Sequence, residues 1–81
     1  MQYIVNEVSD KALTPIGKAR IFDELADAIK FIVNINESQK LFFDGIEFSE
    51  EKVRDVLKGR LSTISVFNEA DMNRKWLITA F

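Results

Sequence analysis

Leu41-Phe42-Phe43-Asp44-Gly45-Ile46-Glu47-Phe48 runs directly into Ser49-Glu50-Glu51-Lys52-Val53-Arg54-Asp55-Val56-Leu57-Lys58-Gly59, and the hydrophobic period changes at the join. In the first half, Asp44-Gly45 separates two short apolar runs. A type I′ hairpin turn needs positive φ at both central positions, and Asp-Gly tolerates this at low steric cost, so residues 41–48 predict a β-hairpin. In the second half, Val53, Val56 and Leu57 recur at helical spacing. Ser49 is placed to accept a hydrogen bond from a free N–H of the first turn, and Glu50 and Glu51 complement the positive end of the helix. Phe48 before the cap and Val53 at the fourth helical position have the spacing of a hydrophobic staple. Gly59 suits the left-handed residue that ends a helix.

Toward the N-terminus, Leu25, Ala28, Ile29, Ile32 and Val33 follow the i, i+3, i+4, i+7, i+8 pattern of an amphipathic helix. Asp23 is its expected N-cap and residues 34–38 its end. Residues 18–22 read either as a strand pairing back on the first strand or as the lead-in to this helix. Residues 3–8, rich in Tyr, Ile and Val, predict a strand, and residues 9–17, punctuated by Pro15 and Gly17, a turn.

Toward the C-terminus, residues 61–67 alternate as a strand, with Ile64 and Val66 on one face. Residues 68–73 read as a polar turn with a bulge, and residues 76–81 as the last strand. In that strand Trp76, Ile78 and Ala80 face one way while Leu77 and Phe81 face the other. A strand apolar on both sides is central in its sheet or covered by something else. Phe22-Asp23-Glu24 resembles Phe48-Ser49-Glu50, but aligning them sets Leu25 against Glu51, so there is no internal repeat.

The expected fold is therefore a single small α+β domain spanning residues 1–81, in the order β-(β)-α-β-β-α-β-β. A mostly antiparallel sheet of four to six strands carries both helices on one face. A ferredoxin-like core and an irregular antiparallel sheet are the two arrangements that fit.

Composition narrows the chemistry. The 81 residues include no Cys and no His, with 11 Lys+Arg against 13 Asp+Glu, a net charge of −2. That removes disulfide scaffolds, thiolate nucleophiles, zinc fingers and imidazole catalysis. No run approaches the ~18 apolar residues of a membrane span. Residues 1–7 lack a basic region before an apolar run, so no secretory leader is expected and the expected location is cytoplasmic. No Gly-rich phosphate loop or nucleophile elbow is present. The chain is read as a non-enzyme without cofactor or metal.

Two adjacent charge blocks stand out. Residues 37–51 carry Glu37, Asp44, Glu47, Glu50 and Glu51 against Lys40, a local charge of −4; residues 52–61 carry Lys52, Arg54, Lys58 and Arg60 against Asp55, a local +3. On a helix, Glu50–Arg54 and Asp55–Lys58 are spaced to pair, at about 0.2–0.5 kcal/mol each. Such blocks orient a partner more than they add affinity. Nine aromatics exceed what one small core readily hides.

The leading expectation is a non-catalytic protein-binding module, a small inhibitor or regulator acting by surface complementarity. By analogy of size and composition, and not by any motif, phage anti-defence, immunity and antitoxin proteins are of this kind. The expected contact residues are Glu37, Asp44, Glu47, Glu50, Glu51, Phe42, Phe43, Phe67, Trp76, Ile78 and Phe81. Self-association as a homodimer through the last strand is a companion expectation. The acidic segment is also read as a candidate mimic of nucleic acid, competing for a partner's basic groove. The alternative is a nucleic-acid-binding domain using Lys52, Arg54, Lys58, Arg60, Arg74 and Lys75, which a pI of about 5.0 disfavours. A third reading, a carboxylate- or metal-dependent hydrolase on Asp44, Glu47 and Glu50, lacks the calcium-loop pattern, and its Glu50-x-Lys52 stretch falls on a helix start rather than on a strand.

Overall fold

A computed structural model describes residues 1–9, 17–37, 39–58 and 62–81, without the side chains of residues 71 and 72. The elements are β1 (Tyr3–Ser9), β2 (Arg20–Phe22), α1 (Leu25–Ile35), β3 (Leu41–Phe43), β4 (Ile46–Glu47), α2 (Glu50–Leu57), β5 (Thr63–Asn68) and β6 (Asp71–Ala80). The six strands form one antiparallel sheet in the order β2-β1-β6-β5-β3-β4. The fold is α+β, as the alternation of periods implies.

The order selects the irregular sheet over the ferredoxin-like core. In a split βαβ unit, one strand lies between the two that a helix joins. Here β4 and β5, joined through α2, have β3 between them and make one such unit, but β2 and β3, joined through α1, are separated by three strands, β1, β6 and β5, so the second unit of a ferredoxin-like core is missing. Residues 20–22 are a strand, paired with β1 in the register Tyr3↔Phe22, Ile4↔Ile21, Val5↔Arg20.

The two-sided apolar strand is indeed central. β6 is hydrogen-bonded to β1 along one edge and to β5 along the other, so it offers no free edge for pairing with a second chain; the edges belong to β2 and β4. It also begins at Asp71, five residues before the sequence pattern shows it. The irregularity expected near residue 68 is present as a register shift between Phe67 and Asn68.

Strand alternation divides the sheet into two faces. One carries Val5, Leu41, Phe43, Ile64, Val66, Trp76, Ile78 and Ala80, which pack with Leu25, Ala28, Ile29 and Ile32 of α1 and Val53 and Leu57 of α2. Phe43, Ile32, Val53, Val66 and Ile78 are wholly buried there, and each such side chain contributes ~1.5–3 kcal/mol. Both helices therefore lie on one face, as their apolar stripes require.

The caps differ between the helices. Ser49 caps α2, its Oγ accepting from the Lys52 N–H at 3.3 Å. The left-handed residue ending α2 is Lys58, at φ 44° and ψ 39°; Gly59, expected in that role, lies outside the described residues. α1 starts from Glu24, with no side-chain cap. Asp23, the expected cap, accepts instead from Gln2 Nε2 at 2.8 Å, which ties the helix entry to the start of β1.

The end of α1 is held by two asparagines. Asn36 Nδ2 donates to the Ile32 carbonyl at 2.7 Å, and Asn36 Oδ1 accepts from Asn68 Nδ2 at 2.7 Å, both buried. Asn68 Oδ1 in turn accepts from the Ala70 N–H at 2.8 Å. Among the described residues these two are the buried polar side chains, and their mutual bonding offsets the cost of taking them out of water.

Candidate functional site

The second face of the sheet has a different character. By register it carries Ile21 of β2, Ile4, Asn6 and Val8 of β1, Lys75, Leu77 and Thr79 of β6, Thr63, Ser65 and Phe67 of β5, and Phe42 of β3. Among the described residues no helix packs on it. Ile21 is 61% exposed, while Ile4, Leu77, Phe67 and Phe42 are half-buried. Thr63 and Thr79 share a hydroxyl–hydroxyl hydrogen bond of 2.9 Å across the middle. An antiparallel sheet with one solvated face ordinarily alternates apolar-in with polar-out; here both faces are substantially apolar.

At one end of this face Phe42 and Phe67 are direct cross-strand neighbours. With Phe43, Asp44, Gly45 and Glu69 they line a depression of about 410 Å³. The turn builds its rim. Asp44 (φ 51°) and Gly45 (φ 74°) both take the positive φ that a type I′ turn demands. The Glu69 N–H donates to the Lys40 carbonyl at 3.2 Å, which holds the β5–β6 turn beside the hairpin. Lys75 Nζ lies 5.7 Å from the Phe67 ring centre, within cation–π range.

Of the residues expected to make contact, the structure brings together Phe42, Phe67 and Asp44. Glu47 stands opposite Phe42 in the ladder. Phe43 contributes to the wall of the depression but belongs to the core, edge-on to Phe48 with ring centres 6.2 Å apart. Trp76 and Ile78, at 2% and 0% exposure, are corrected to core residues: alternation turns them toward the helices, leaving them almost no surface for a partner. Phe81 is 45% exposed but lies six residues beyond Lys75 along the chain, roughly 20 Å away at strand rise.

The acidic segment does not form one surface either. Glu37 follows the end of α1, Asp44 and Glu47 sit on the hairpin, and Glu50 and Glu51 open α2. Glu50 is engaged by Arg54, with N–O distances of 2.9 Å. The expected Asp55–Lys58 pair is not formed among the described residues. No group of three acidic residues placed to hold a metal ion occurs among them, so Asp44, Glu47 and Glu50 do not converge.

The basic residues are likewise dispersed. Arg74 is bound to Glu7 and lies over the Trp76 ring at 5.6 Å. Lys75 is on the opposite face, and Lys52, Arg54 and Lys58 are on α2. Arg60 lies outside the described residues. A wider depression of about 540 Å³ beside α1, walled by Phe31 and Trp76, has two of its three charged residues engaged, Glu7 by Arg74 and Arg20 over the Phe31 ring at 4.9 Å; the third is the exposed Lys18.

Glu69, Leu77, Ile4 and Ile21 were not legible as site residues. Leu77 shows in sequence only as part of a strand apolar on both sides, the other three are unremarkable in their own segments, and only the strand order sets all four on one surface with Phe42 and Phe67. The adjacent apolar residues Ile21 and Phe22 were the available signal that β2 has two apolar faces. No described helix is long and apolar enough to cross a membrane. No protein-family model matches this chain, and comparisons with curated proteins and with solved structures found no match.

Proposed function

We propose that this chain is a non-catalytic protein-binding module, an inhibitor or regulator acting by surface complementarity, and that its contact surface is the helix-free face of the sheet. The observation that carries the reading is the apolar content of that face. Phe42, Phe67, Leu77, Ile4 and Ile21 lie on one surface that no described helix covers. Contiguous exposed apolar area of this kind marks interaction surfaces, and aromatic anchors are the side chains that commonly dominate binding energy.

The nucleic-acid alternative has weaker support, since Arg54 and Arg74 are paired with carboxylates and the remaining cations fall on different faces. Affinity purification of the tagged full chain from its native cell, beside the variant Phe42→Ser/Phe67→Ser, tests the proposal. A protein retained by the parent and lost by the folded variant is the expected result. Equal retention by both overturns it, as does salt-sensitive binding of mixed DNA or RNA oligonucleotides that survives the double substitution.

A further inference from the structure

Resting on that reading, we infer that the Phe42–Phe67 depression is built to take an arginine side chain from a basic segment of a protein partner. Its walls are aromatic and its rim is anionic. Asp44 and Glu69 both line it, both are exposed, and neither forms an ion pair among the described residues. Among the described residues no cation lines it: Lys40 lines a separate depression with Val33 and Phe48, and Lys75, whose Nζ lies 5.7 Å from the Phe67 ring centre, is not one of the lining residues. A guanidinium is planar, stacks on aromatic faces and donates in a fork that matches a carboxylate. Phe67 already has one cation near its ring, so the chemistry required is of a kind this residue exhibits. The volume of about 410 Å³ lies in the range of sites that enclose a ligand group. A purely aliphatic or aromatic occupant would use the walls but leave two carboxylates at the rim without a counter-charge.

The test is a titration of the ¹⁵N-labelled full chain, read by amide chemical shifts, with the peptide acetyl-Gly-Arg-Gly-amide and its citrulline and norleucine counterparts. Citrulline keeps the planar shape of arginine and removes the charge. The arginine peptide is expected to shift the amides of residues 42–45 and 67–69 saturably, with apparent affinity about two- to thirtyfold above the citrulline peptide. Asp44→Asn/Glu69→Gln is expected to remove that difference. Asn tolerates the left-handed turn position, so the variant's dispersed spectrum reports an intact fold. Equal binding of the arginine and norleucine peptides overturns the inference while leaving the protein-binding reading standing. Absence of shifts at these amides with any peptide overturns it as well.

Discussion

Replacing Asn68 with Ala removes the donor to buried Asn36 Oδ1 and the acceptor of the Ala70 N–H in one step. The first loss is the larger. Asn36 is 7% exposed, so its amide oxygen has little access to replacement water, and an orphaned buried acceptor costs about 1–3 kcal/mol. The Ala70 N–H is only partly buried and recovers part of its bond from solvent, which adds about 0.5–1 kcal/mol. The expected destabilisation is ~2–4 kcal/mol. A chain of this size has roughly 4–12 kcal/mol in total, and each kcal/mol shifts the melting temperature by about 4–8 °C. Asn68→Ala should therefore melt on the order of 10–30 °C lower. Urea unfolding followed by far-UV circular dichroism should show a lower midpoint at unchanged m, since the surface exposed on unfolding is nearly the same. Asn36→Ala should cost a similar amount, and the double variant less than the sum, with a coupling of ~0.5–3 kcal/mol. A cost for Asn68→Ala below about 0.5 kcal/mol, or strict additivity with Asn36→Ala, would refute the idea that this pair clamps the end of α1 to the β5–β6 turn.

Neighbouring phenylalanines should respond unequally: Phe43→Ala should cost ~3–5 kcal/mol in urea unfolding, as for other buried aromatics, whereas half-buried Phe42→Ser should cost under about 1.5 kcal/mol. Lys58→Gly should raise stability by roughly 0.5–1 kcal/mol, because φ 44° strains any residue with a Cβ. Gly45→Ala should lower stability by about 1–2 kcal/mol although an added Cβ meets nothing within 4 Å, since φ 74° alone sets the cost; thermal melts read both signs. Among the described residues Trp76 Nε1 is buried without a hydrogen-bond partner, so Trp76→Phe should change stability by less than about 1 kcal/mol, the lost ring volume being offset by removal of that donor, whereas Trp76→Ala should cost ~3–5 kcal/mol.

The sequence by itself determined the local elements. Asp44-Gly45 specifies its turn because few residue pairs accept two positive φ values, and Ser49 before a 3.6-residue stripe specifies α2 because the cap and the buried face are both short-range properties. The stripe of α1 was equally legible, though its cap was not: Asp23 is drawn away by Gln2, twenty-one residues earlier, which no local pattern encodes. The α+β class and the placement of both helices on one face followed from these elements. The tertiary structure alone decided the strand order, and with it the meaning of every alternating residue. Trp76 and Ile78 look like surplus apolar surface in sequence, yet β6 lies at the centre of the sheet with the helices over those side chains. Phe42 and Phe67 look no different, but the same alternation sends them to the helix-free face, where β3 and β5 meet beside Asp44 and Glu69. A period of two assigns residues to faces; which face is covered is a long-range fact, fixed only once the strands have chosen their neighbours.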